Sequence, residues 1–177
     1  MTKGSQLASR SELDRLMEQY GSCLLRMSAI YLKDADLAQD AVQETFIKAY
    51  RHMNDYRGDS SEKTWLTTIC VNTCRDILRT AWFRHTSRMD LDTLPEKPAE
   101  FEFPDNTVLT EVMRLPAKYR EVILLRYYEG MKLKEVSSAL GLSDGKLRTR
   151  LNKANEILRD RLKEWYYDEE SLIPKAR

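Results

Sequence analysis

Apolar residues recur three and four positions apart along most of the chain, the spacing that lines one face of an α-helix. Leu13, Leu16, Met17, Tyr20, Leu24, Met27 and Tyr31 form the first such stripe, preceded by Ser9 and Glu12. That pair reads as a capping box, which predicts a helix start at Ser9. A second stripe runs through Ala38, Ala41, Val42, Phe46, Ala49 and Met53, with Asp34 and Asp36 at its head, where the helix dipole favours negative charge. The stretch from Asn54 to Ser61, NDYRGDSS, is rich in turn formers and breaks the pattern. Asp59, three residues before Glu62, is the expected cap of a third helix that carries Trp65, Leu66, Ile69, Thr73, Ile77 and Leu78 on one side. On another side of that helix Thr68, Asn72, Arg75 and Arg79 follow at spacings of four, three and four. No stretch alternates with the two-residue period of a strand.

The periodicity lapses after about Arg84. The segment DLDTLPEKPAEFEFPDN (90–106) holds three prolines and six acidic residues, a composition that favours an extended, solvated tether. Beyond it, Val108, Leu109, Val112 and Met113 make a short helix ending near Leu115 and Pro116, and Tyr119 to Tyr128 make another, stopped at Gly130. Leu133 to Leu140 forms a third; a turn at Gly141 and Leu142 follows, and Ser143 caps a long helix beginning at Asp144. Leu147, Leu151, Ala154, Leu158 and Leu162 mark that helix's buried side. A helix, a short glycine-containing turn and a longer basic helix describe a helix-turn-helix. The predicted fold is therefore all-α: one helical domain over residues 1–83, an acidic flexible linker over 84–106, a second helical domain over 107–165 and a tail over 166–177.

Charge sharpens this division. The whole chain carries only +1, but residues 90–106 carry −5 and residues 107–163 carry +6. A basic helical module is the electrostatic footprint of a nucleic-acid binder. At about 100° per residue, Lys146, Thr149, Asn152 and Lys153 lie opposite the leucine stripe, with Arg148 and Arg150 on the flanks. Arginine and lysine at the edges suit phosphates, while Thr, Asn and Lys in the centre can reach base edges in a major groove. In the first domain, Asp40, Gln43 and Glu44 share a face at i, i+3 and i+4. The loop residues Asn54, Tyr56, Arg57, Ser60 and Ser61 join an aromatic ring, a cation and hydrogen-bonding groups, a mixture able to stack on an unpaired base and read its edge.

Other chemistry is poorly provided for. Cys23, Cys70 and Cys74 are too few and wrongly spaced for a structural zinc site and read as packed small hydrophobes. With no signal peptide and no long apolar run, they point to a reducing cytoplasm. No phosphate-binding glycine loop is present, and His52 and His85 belong to no metal or nucleophile motif. The expectation is a protein that is not an enzyme and uses no cofactor, no metal and no small-molecule substrate.

Three segments together resemble the sigma factors of bacterial RNA polymerase, in that family's order. Residues 34–50, DADLAQDAVQETFIKAY, are similar to the helix that docks on the coiled coil of the polymerase β′ subunit. Residues 62–79, EKTWLTTICVNTCRDILR, are similar to the helix bordering the site of promoter melting. Residues 115–162 resemble the family's fourth conserved region. Two domains and a short linker are what the small extracytoplasmic-function group retains. The resemblance implies core polymerase docking through Asp36, Asp40, Gln43 and Glu44. It implies recognition and opening of the −10 element by Asn54, Tyr56, Arg57, Ser60, Ser61, Lys63, Asn72, Arg75 and Arg79. Reading of the −35 element would fall to Lys146, Arg148, Thr149, Arg150, Asn152 and Lys153.

It also implies a linker running through the polymerase and contacts with its β subunit. Restraint by an anti-sigma factor, often membrane-tethered, is part of the same picture, with Phe46, Tyr50, Tyr127 and Tyr128 as candidate contacts. Three positions depart from the family: Glu62 replaces a usual apolar residue, Asn155 a usual arginine and Lys146 a frequent threonine. The alternative is a helix-turn-helix regulator that acts on DNA without polymerase.

Overall fold

The computed structural model describes the backbone of residues 3–85 and 107–171, and side chains within 10–80 and 108–163. Every regular element among them is helical. The chain divides into two units, Met1–Glu100 and Phe101–Arg177. The predicted linker, residues 84–106, lies almost wholly outside the described residues.

The first unit packs three long helices: α1 (Lys3–Leu32), α2 (Ala35–His52) and α3 (Glu62–His85). Helix α1 begins six residues before Ser9, so the expected helix start lies inside the helix. Glu12 pairs instead with Arg15 on the next turn, at 2.6 Å. Between α1 and α2 the chain turns sharply. Lys33 takes the left-handed conformation (φ 59°), and Asp34 accepts the Leu37 amide proton at 2.9 Å as the cap of α2. Leu24, Met27, Ile30 and Tyr31 of α1 are buried with Phe46 of α2 and Leu66 and Val71 of α3. Ala38, Ala41 and Ala49 present only methyl groups to this core, which lets α2 approach its neighbours closely. Met17, placed on the first apolar stripe by its spacing, is instead 46 % exposed.

Helix α3 is capped by Ser61, not by the expected Asp59: the Ser61 hydroxyl accepts the Thr64 amide at 3.1 Å. Glu62, the departure from the family pattern, is used as a cross-link. It accepts from the Arg15 guanidinium at 2.6 Å and from the Tyr20 hydroxyl at 3.3 Å, joining the start of α3 to α1. An apolar residue at this position could make neither bond.

The second unit consists of α4 (Thr107–Met113), α5 (Ala117–Ile123), α6 (Leu133–Leu140) and α7 (Asp144–Ser171). Helix α5 widens at its end into a single π turn, Leu124–Tyr128, a distortion that the regular spacing of its apolar residues did not announce. Val122, Leu124, Leu125, Val136, Leu147 and Ala154 form the core. Arg120 is buried and spans two backbone carbonyls, Met113 at 2.6 Å and Leu115 at 3.2 Å, which fastens the end of α4 to α5.

Candidate polymerase and promoter interfaces

The helix-turn-helix is built at the α6–α7 junction. Gly141 adopts the left-handed conformation (φ 63°), where a side chain would strain the backbone. The amide of Leu142 returns to the Ser137 carbonyl at 3.0 Å and that of Gly141 to the Ser138 carbonyl at 3.3 Å, the paired bonds of a Schellman stop. The single proton of the Ser137 hydroxyl is shared between the Leu142 carbonyl and Asp144 in the first turn of α7, the latter at 3.0 Å. One serine thus fixes the turn and the start of the next helix together.

On α7, Lys146, Arg148, Thr149, Asn152 and Lys153 are all exposed, opposite buried Leu147, Leu151 and Ala154. Arg150 differs from the other cations. Its guanidinium meets Glu121 of α5 at 2.7 Å, and the Glu121 side chain is only 5 % exposed. A residue chosen for a flank of the DNA face therefore anchors α7 to α5. Lys153 donates to Glu156 at 2.9 Å, and that bond, with the charge behind it, raises its pKa above the ordinary lysine value. Spacing also failed to signal Lys118, whose ammonium stands 5.0 Å above the Tyr119 ring.

In the first unit, Asp36, Asp40 and Gln43 are exposed on one side of α2, opposite its buried alanines. Glu44 is half-buried, with the Lys48 ammonium at 3.9 Å. Lys48 also reaches toward α3, donating to Thr73 at 3.1 Å and lying 4.0 Å from Asp76. Beside this acidic strip, α1 and α2 enclose an apolar groove of about 700 Å³. Leu13, Met17 and Leu25 of α1 and Val42, Phe46, Ile47 and Tyr50 of α2 line it, together with the polar residues Gln39, Gln43 and Arg51. Sequence patterning missed it because its walls are the ordinary apolar stripes of two helices that stop short of closing on each other.

The loop before α3 is more ordered than its composition suggested. The Tyr56 ring stacks on Trp65, centroids 4.8 Å apart and planes 27° from parallel, while its hydroxyl donates to the Ser60 carbonyl. Burial, with the negative charges of Glu62 and Asp59 nearby, raises the Tyr56 pKa. One ring face and the hydroxyl of Tyr56 are therefore engaged within the protein. Asn54, Arg57 and Ser61 are exposed, Ser60 and Lys63 half-buried. Along α3, Asn72 and Arg79 are exposed and Arg75 is half-buried; Arg79 pairs with Asp76 at 2.9 Å. The structure thus gathers the loop and α3 residues on one helical unit and the −35 set on the other.

Residues 16–84 match region 2 of the sigma-70 proteins, and residues 106–156 match region 4. The chain is 31% identical over 172 residues to the ECF RNA polymerase sigma-E factor of Escherichia coli, a match spanning 88% of this chain and 87% of that one. The chain belongs to the ECF sigma factors of the sigma-70 family. The RNA polymerase sigma-H factor of Pseudomonas aeruginosa is 30% identical over 172 residues, covering 86% of this chain and 87% of its own length.

Among solved structures, the sigma factor RpoE of Bartonella quintana, in complex with the anti-sigma factor NepR, superimposes with a TM-score of 0.71 at 22% identity. That match covers 86% of this chain and 97% of RpoE. CnrH, in complex with the cytosolic domain of CnrY, gives 0.62 at 23% identity, covering 88% of this chain and 90% of that one. These two share the fold. As an ECF sigma factor, the chain binds core RNA polymerase and directs promoter-specific initiation. No helix among the described residues is long and apolar enough to cross a membrane.

Proposed function

We propose that the chain divides its work as follows. Asp36, Asp40, Gln43 and Glu44 of α2 seat the factor on a basic helical element of core polymerase, the β′ coiled coil of the family resemblance. The exposed groups of the loop, Asn54, Arg57 and Ser61, read the opening strand of the −10 element, on a platform held by the Tyr56–Trp65 stack. Ser60, Lys63, Asn72, Arg75 and Arg79 track the adjoining backbone. Lys146, Arg148, Thr149, Asn152 and Lys153 read the −35 duplex, and Arg150 holds their helix in place. Residues 1–83 and 107–165 are the two working domains, joined by the acidic tether and acting in the cytoplasm.

The observation that carries this reading is the exposed acidic strip of α2 beside an apolar groove that shares Gln43 with it. An interface of this kind needs both parts: charges set register and encounter, while apolar area supplies affinity. The same sharing gives regulation a location. An anti-sigma segment that fills the groove with aliphatic side chains covers Gln43 and so competes directly with polymerase.

The test is reconstitution with core polymerase. Asp40→Lys combined with Glu44→Lys should weaken core binding about tenfold or more while leaving helical content unchanged by circular dichroism. Equal core binding by the double variant would overturn the assignment of this face.

A further inference from the structure

Tyr127 is the most exposed of the large hydrophobic residues described, at 60 %, yet its hydroxyl is not idle. The Asn155 amide nitrogen donates to it at 3.3 Å, linking the π turn after α5 to α7. Since the phenol oxygen acts as acceptor in that bond, its own proton points elsewhere, and the Asn155 amide keeps a second N–H. Two uncharged donors therefore stand side by side at the surface.

Their position on α7 gives them a use. Asn155 follows Arg148 by seven residues, about 700° of rotation, so the two share a flank and are separated by roughly 10 Å along the axis. Arg159 falls four residues later on the same flank, and both arginines are exposed. This strip borders the face that carries Thr149, Asn152 and Lys153. It has the layout of a surface that follows a phosphate backbone: cations at its ends and hydrogen-bond donors between them.

We propose that Tyr127 and Asn155 together hold one phosphate of the promoter duplex through neutral hydrogen bonds. The inference rests on the reading of α7 as the duplex-binding helix and extends it to a residue outside the helix-turn-helix. Its signature is electrostatic. A phosphate held by an arginine releases a counterion and adds about 0.9 to the slope of log affinity against log salt; a phosphate held by neutral donors adds nothing. The pair would let this factor keep the contact while depending less on salt at that position.

The experiment uses polymerase holoenzyme reconstituted with the full-length factor and a duplex selected by that holoenzyme from a random-sequence library. Binding is measured by fluorescence anisotropy across a salt series. Tyr127→Phe and Asn155→Ala should each weaken binding about three- to tenfold, with the salt slope of the unaltered protein. Asn155→Arg should steepen that slope by about 0.9. Replacing single phosphates by methylphosphonates should reveal one position where the unaltered protein loses affinity and the Tyr127→Phe variant loses no more. If Tyr127→Phe and Asn155→Ala bind normally while Arg148→Ala and Lys153→Ala are impaired, the phosphate contact is wrong and the α7 reading stands. If none of the four is impaired, the α7 reading itself fails and takes this inference with it.

Discussion

Glu121 of α5 and Arg150 of α7 meet at 2.7 Å, with the glutamate side chain almost wholly buried and the arginine side chain about seven-tenths so. Removing one partner of such a pair leaves the other charged and desolvated, which costs more than the pair itself contributes. Arg150→Ala should therefore destabilise the second unit by about 2–4 kcal/mol in denaturant melts of the full chain. Glu121→Gln combined with Arg150→Met, which removes both charges, should recover much of that loss. If Arg150→Ala melts like the parent protein and weakens only DNA binding, Arg150 is a phosphate contact after all.

The Tyr56–Trp65 stack leads to a prediction about strand opening. Aromatic pairs of this kind contribute on the order of 0.5–1.5 kcal/mol beyond their buried area, and here the stack also orients the loop that presents Asn54 and Arg57. Tyr56→Ala and Trp65→Ala should each reduce promoter opening about two- to tenfold, read by permanganate reactivity of unpaired thymines. Because they remove the same contact, the double variant should be scarcely worse than either single one. Additive losses would mean that the two rings act separately, one of them on the DNA.

What was legible in the sequence, and what was not, follows from the range of each interaction. The acidic head of α2 at Asp34 and Asp36, the span of α6 and the start of α7 at Asp144 all rest on signals within four residues, and the structure has them where the pattern put them. Local signals failed where a competing neighbour was equally local: Ser61 outdid Asp59 as the cap of α3, and Ser9 was overrun by a helix that starts at Lys3. The roles of Glu62, Arg150 and Tyr127 were out of reach, because their partners lie 47, 29 and 28 residues away in the chain. Arg150 is the instructive case. A helical wheel places it correctly beside the DNA face, but only the packed structure supplies the carboxylate that occupies it.

The buried thiols give the first unit an alkaline limit. Cys70 and Cys74 lie one turn apart on α3 with no exposed surface; the Ser28 hydroxyl of α1 stands 3.1 Å from one sulfur and 3.6 Å from the other. A hydrogen bond with the neighbouring Cys70 sulfur and burial together push the Cys74 thiol well above its ordinary value of 9.0. In the unfolded chain Cys74 is the stronger acid, so the stabilising effect is complete below about pH 8 and is lost as pH rises through the range where only the unfolded thiol ionises. The slope is about 1.4 kcal/mol per pH unit for one group. Burial raises Tyr20 and Tyr56 as well, and their contribution declines in the same direction above about pH 10. Thermal melts followed by circular dichroism should therefore show the midpoint falling from about pH 8.5 upward. Cys74→Ala should start lower, from lost packing of about 1 kcal/mol, and then fall less steeply with pH. Parallel curves for the two proteins would mean that Cys74 does not set the alkaline limit.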